Sequence, residues 1–268
     1  MTRRTEVFDQ DSSFINKLPQ ITAAFWIMKI TATTLGETCG DWLSRTMNVG
    51  YRVSTLIFFA LFAIALGAQL ASKRLHPFLY WTVIVSTSTA GTTMSDYMDR
   101  TLELGYTKGA AILITILFCL LAAWRLVVGN ISVSAIRTRK AEMFYWITIL
   151  FSNTLGTAAG DFLADDSGLG FLGGWLLVTG VLGIILVLTY VTRLNRIFLF
   201  WFAFILTRPF GATFGDVLTK TPDKGGLDFG RGYSSLILLA ILIACIAFMR
   251  HRESRQIPMA EESAALPA

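Results

Sequence analysis

Charge is scarce in this chain. Only 15% of its 268 residues are Asp, Glu, Lys or Arg, against about 25% in an ordinary soluble domain. That shortage argues against a soluble globular protein. The three cysteines, Cys39, Cys119 and Cys245, fall in apolar stretches with no CxxC pair, so neither a zinc site nor a disulfide framework is signalled. The two histidines, His76 and His251, stand at the edges of apolar stretches, and the lack of histidine inside them argues against a dedicated zinc or copper site. No Gly-x-x-x-x-Gly-Lys-Ser/Thr phosphate loop occurs, so any uphill movement of a solute has to be coupled to protons or another ion. The first twenty residues are polar and mixed in charge, without an apolar core and small-residue cleavage site; no cleavable leader is expected.

Apolar residues are what the chain has: 54% of the total. Eight apolar stretches, near 21–43, 51–72, 78–98, 107–128, 142–164, 171–192, 197–219 and 232–250, are long enough to cross about 30 Å of hydrocarbon as helices. The expected fold class is all-α: a polytopic membrane protein with eight transmembrane helices and the lipid bilayer as its main partner. The net charge of +5 does not point to nucleic acid. Arg3, Arg4, Lys73, Arg74, Arg137, Arg139, Lys140, Arg193, Arg196, Arg250, Arg252 and Arg255 gather on one side of the expected spans, as cytoplasmic loops do. This places both termini in the cytoplasm of a bacterium and the chain in its inner membrane. Oligomeric state is not legible.

One phrase occurs four times: Gly36 to Asp41, Gly91 to Asp96, Gly156 to Asp161 and Gly211 to Asp216. Its form is glycine, three residues, a small residue, then aspartate. The aspartates are spaced 55, 65 and 55 residues apart, and Trp26, Trp81, Trp146 and Trp201 each precede one by fifteen. This is an internal repeat, with units near 21–75, 76–130, 141–195 and 196–250. Residues 1–20 are read as a cytoplasmic tail, 21–250 as one membrane domain and 251–268 as a disordered cytoplasmic tail. Each repeat is expected to form a two-helix hairpin. Its first helix places the Trp in an interfacial aromatic belt and the Asp about 22 Å further along. The second helix starts at Gly50-Tyr51, Gly105-Tyr106, Gly170-Phe171 and Gly232-Tyr233. Two spans per repeat make all four parallel, so the aspartates share one depth.

On the four Gly-x-x-x-small-Asp phrases, the Trp before each and the eight-span layout, the chain resembles prokaryotic polytopic membrane proteins built from a four-fold "repeat of unknown function", often labelled membrane-anchored proteins. The resemblance covers 21–250 and implies the fold; it implies no activity.

Chemistry has to be read from the residues. Gly36 and Gly40, Gly91 and Ser95, Gly156 and Gly160, and Gly211 and Gly215 are small pairs four apart, a stripe that lets a neighbouring helix approach closely. An aspartate in hydrocarbon costs about 2.5–3.5 kcal/mol, so Asp41, Asp96, Asp161 and Asp216 are expected to face a central site. With Glu37 they cannot all stay ionised unless a cation or protons neutralise them. Thr38, Thr93 and Thr213 add hydroxyl oxygens one turn away. These are hard ligands for Mn²⁺, Mg²⁺ or Ca²⁺, with Cys39 and Met94 as softer candidates that tilt toward Mn²⁺. Arg208, followed by a Pro209 expected to kink its helix, and Lys29 are candidate counter-charges; either can instead sit in a static ion pair or snorkel. The function expected is transport of a small divalent cation, without a cofactor and without enzymatic activity. The alternatives are a membrane scaffold or sensor and, behind both, an intramembrane aspartyl hydrolase.

Overall fold

The computed structural model describes residues 22–72, 75–131, 136 and 138–264, with side chains as far as His251. The tail 1–20, the basic residues Arg3, Arg4, Lys73, Arg74 and Arg137, and residues 265–268 lie outside the described residues. Eight long helices and no strand are present among the described residues: α1 (Ala23–Asp41), α2 (Tyr51–Ala71), α3 (Pro77–Asp96), α4 (Gly105–Val128), α5 (Arg139–Asp161), α6 (Gly170–Val191), α7 (Arg196–Thr219) and α8 (Arg231–Ala264). α8 runs well past residue 250, so most of the segment expected to be a disordered tail is helical.

Local signals set the helix ends. Thr22, Thr138 and Asn195 accept hydrogen bonds from the backbone N–H groups of Phe25, Ala141 and Ile197, satisfying first-turn donors that have no intrahelical partner. Pro77 opens α3, where its missing N–H costs nothing. At the aspartate end, α1, α3 and α5 continue into one π-helical turn each: Trp42–Thr46, Tyr97–Thr101 and Phe162–Asp166. The loops that follow use left-handed backbone at matching places: Asn48 and Gly50, Glu103 and Gly105, Gly168 and Gly170. In the fourth repeat Asp228 and Gly230 take that conformation. The counterpart of Gly50 is therefore Gly230, and not Gly232 as the Gly-aromatic pattern suggested.

The odd helices form a closed ring in which α1 packs on α3, α3 on α5, α5 on α7 and α7 back on α1. The small-residue stripe makes the ring. A Cβ at Gly36 would collide with Ser88, at Gly91 with Asn153, at Gly156 with Arg208 and at Gly211 with Thr33. Each contacted residue stands eight positions before its own aspartate, so the same contact recurs four times around the ring. At these four positions the glycines allow close helix contact, and the arrangement is pseudo-fourfold.

The even helices lie outside, and the hairpin expectation needs correction. α2 packs on α3, α4 on α5 and α6 on α7, while α8 closes the circle on α1. Each even helix thus covers the odd helix of the next repeat. Its buried edge is narrow (on α2, Ser54, Phe58, Phe62, Ala65 and Gln69), and the rest is exposed Leu, Ile and Phe, such as Leu56, Ile64, Phe118, Ile184 and Leu236. Apolar surface of that extent suits hydrocarbon. α2, α4, α6, α7 and the Arg231–His251 part of α8 are long and apolar enough to cross a membrane. α1, α3 and α5 carry more polar residues because theirs face the ring axis.

The tryptophans depart from the expected interfacial belt. Trp81, Trp146 and Trp201 are buried and Trp26 is half-buried. With Phe25, Tyr80, Tyr145, Phe200 and Phe204 they form a network of edge-on and tilted rings that fills the ring at the end away from the aspartates. The hydroxyls of Tyr80 and Tyr145 share a hydrogen bond of 2.9 Å inside it. Ring packing of this kind is worth more than area alone, and it closes that end of the axis.

Candidate functional site

Residues four apart on a helix share a face and step about 6 Å along the axis. Counting back from each aspartate in fours gives layers that face the centre of the ring. Twelve before stand Lys29, Ile84, Ile149 and Phe204; eight before, Thr33, Ser88, Asn153 and Arg208; four before, Glu37, Thr92, Thr157 and Ala212. All twelve are buried. The aspartates form the next layer, and four beyond them stand Arg45, Arg100, Asp165 and Lys220. A polar column therefore runs through a bundle with an apolar outside.

The aspartate layer is bridged by basic residues. Arg45 contacts Asp41 and Asp96, each at 3.0 Å. Arg100 contacts Asp96 at 2.7 Å, and Asp161 and Asp165 at 3.5 Å. Arg231, at the start of α8, reaches Asp41 at 3.3 Å. Lys220 pairs with Asp216 at 3.1 Å. The aspartate side chains are nearly inaccessible, while those of Arg45 and Arg100 are 20% and 32% exposed, which makes this the end of the column nearer to solvent. Each of the four thus has at least one protein cation, and these are Arg45, Arg100, Lys220 and Arg231 rather than the expected counter-charges Arg208 and Lys29. The signal was in the sequence, since Arg45, Arg100 and Lys220 follow their aspartates by four. Asp41 Oδ1 and Asp96 Oδ2 remain buried without a hydrogen-bond partner among the described residues. Among the described residues no three His, Cys, Asp or Glu side chains stand close enough together to hold a metal ion.

The hydroxyls expected beside the aspartates turn elsewhere. Thr93 and Thr213 donate to carbonyls of their own helices, and Thr38 donates to Leu35 and accepts from Ser235 of α8. They stand three before each aspartate, off the axial face. Thr92 and Thr157, four before, take the axial positions. Cys39 packs against the apolar core, and Met94 is half-buried.

Arg208 is fully buried at the centre of the column. Its partner among the carboxylates is Glu37, at 3.2 Å, rather than a motif aspartate. It also donates to the backbone carbonyls of Thr33, Ser88 and Asn153 and to the hydroxyls of Thr92 and Thr157. α7 runs continuously through Pro209, which packs on Gly156. Lys29 lies deeper, with Nζ 4.1 Å from the centre of the Phe204 ring and no hydrogen-bond partner among the described residues. It is fully buried, does not reach the surface by snorkelling, and pairs with no carboxylate among the described residues.

Fold and column together define an all-helical bundle of membrane type, made of four like units around a polar axis. The chain belongs to the family defined by the Repeat of Unknown Function (DUF347), whose model matches residues 24–75, 79–129, 144–195 and 199–254. Each match spans one odd helix and the even helix after it. No curated protein and no solved structure matches the chain.

Proposed function

We propose that the chain transports a small cation, most readily a divalent one, along the axis of the odd-helix ring, with Asp41, Asp96, Asp161 and Asp216 as its principal site. The observation that carries this reading is the polar column itself. Ionisable groups buried in a membrane bundle are expensive and mark ion pathways by default, and here they recur at one level in all four repeats. Arg45, Arg100, Lys220 and Arg231 pair with the carboxylates and act as tethered stand-ins that a substrate ion displaces. Asp41 Oδ1 and Asp96 Oδ2, which lack hydrogen-bond partners among the described residues, are its first ligands. Carboxylate oxygens suit Mn²⁺, Mg²⁺ and Ca²⁺. Cys39, one of the two softer candidates that favoured Mn²⁺, packs against the apolar core, which leaves Met94 as the other. The chain's basic loops favour an inner-membrane orientation with both termini cytoplasmic; a reporter fused after Ala264 should then read as cytoplasmic and one after Lys224 as external.

A second reading, a non-transporting scaffold, is favoured by one observation: the ion pairs to Arg45, Arg100 and Lys220 lie four residues after their aspartates, as a static network would. Proteoliposomes separate the two. Under an imposed pH gradient, protein-dependent uptake of Mn²⁺, Mg²⁺ or Ca²⁺ is expected. Uptake no faster than in empty vesicles for all three ions leaves the scaffold.

A further inference from the structure

The oxygen atoms around Arg208 outnumber the hydrogens that face them. Nε donates to Asn153 O at 3.2 Å and Nη1 to Thr33 O at 2.8 Å. Nη2 carries two hydrogens, yet four oxygens surround it: Glu37 Oε2 and Ser88 O at 3.2 Å, Thr157 Oγ1 at 2.8 Å, and Thr92 Oγ1 closer still. The two hydroxyl protons have acceptors elsewhere. Thr92 donates to Ser88 O or Glu37 Oε2, both at 3.1 Å, and Thr157 to Asn153 O at 3.4 Å. Lone pairs are therefore left pointing at one nitrogen. Four oxygens near one nitrogen are more acceptors than its two hydrogens can serve.

Charge fixes the class of ion. Only one carboxylate, Glu37, contributes charge to the cage; the rest are backbone carbonyls and hydroxyls, the ligand type that replaces the hydration shell of a monovalent cation. The helices hold these oxygens in place, because Ser88 and Asn153 are wedged against Gly36 and Gly91 by the ring packing.

We propose that this cage is a binding site for a monovalent nitrogen cation, filled in the native chain by Arg208 as a tethered occupant, and that a free guanidinium ion takes the site when the tether is cut. The site is distinct from the aspartate layer and does not depend on the transport reading. Its consequence is a plug: with Arg208 in place the axis is filled between the aspartates and the aromatic end.

The test is thermal unfolding of purified Arg208→Ala in detergent. Removal of Arg208 should lower Tm. Guanidinium chloride at low millimolar concentration should then raise Tm of the variant by about 3 °C or more, relative to equal NaCl, while leaving the parent unmoved because its site is full. Adding Glu37→Gln should abolish the shift. Equal responses of variant and parent overturn the proposal. If Arg208→Ala yields no folded protein, Arg208→Lys and Arg208→Met decide, since both are unbranched and only one is charged. The lysine variant should be clearly more stable; a methionine variant of equal stability shows that the cage has no use for a cation, and the proposal fails.

Discussion

Asp41 and Asp96 each meet two cations, and Asp96 holds its pair the closer. Asp96 Oδ1 receives both Arg45 and Arg100, at 3.0 and 2.7 Å, whereas Asp161 is met, among the described residues, only by Arg100 at 3.5 Å. Removing a buried partner strands the other charge, so the two aspartates should not be equivalent. Asp96→Asn is expected to destabilise the folded protein by about 2–3 kcal/mol, and Asp161→Asn by about 1 kcal/mol. Unfolding in detergent measures both, and equal losses would mean that the bridges are not the anchors of this layer. At this scale much was legible. The repeat located the aspartates, and the same spacing of four that marked the glycine stripe also marks Arg45, Arg100 and Lys220. The hydroxyls were misjudged because "one turn away" spans both three and four residues. Only the residue four away, as in Thr92 and Thr157, keeps the axial face, while Thr38, Thr93 and Thr213 rotate off it. Arg231 and Ser235 were not legible, because their place beside α1 depends on how α8 closes the circle.

Between helices, glycine separates into two kinds. Gly156 lies where α5 meets the Arg208 and Pro209 side chains, and a Cβ there has no room. Gly180 on α6 has nothing within 4 Å of the same added atom. Gly156→Ala should therefore spread α5 and α7 and destabilise by about 1–3 kcal/mol. Gly180→Ala should stabilise by about 0.5–1 kcal/mol, through helix propensity alone. If Gly156→Ala matches Gly180→Ala in thermal unfolding, the stripe is not the ring contact. The stripe was readable from Gly-x-x-x-small spacing, and so were the helices themselves. The partner of each even helix was not. A two-helix repeat with a short loop suggests a self-packed hairpin, but the odd helices are pressed together by glycine. The groove left for each even helix lies over the following repeat. The burial of Trp81, Trp146 and Trp201 has the same cause: next-neighbour packing turns an interfacial position inward.

Across the whole molecule, polarity is inverted relative to a soluble bundle. Leu, Ile and Phe cover the outside, and ionisable residues are buried along the axis from Lys29 to the motif aspartates. The aromatic end is filled by packed rings and the middle by Arg208, while the aspartate end carries the partly exposed Arg45 and Arg100. On the transport reading proposed above, this would be a pathway closed at one end and held ready by its own cations at the other. The eight-helix layout and the parallel repeats were legible in composition and periodicity; the closure was not, because it depends on which side chains meet at the axis. Flux in proteoliposomes bears most directly on the central claim. Parent protein, Asp41→Asn, Asp96→Asn, Asp161→Asn and Asp216→Asn, each first shown to be folded and inserted, are compared for cation uptake under a pH gradient. If the four aspartates act as one site, each single substitution lowers the rate at least tenfold, the effect of losing about 1.4 kcal/mol of stabilisation, and a second substitution adds less than the first. Parental rates in all four variants would contradict the account and leave the aspartates as structural ion pairs.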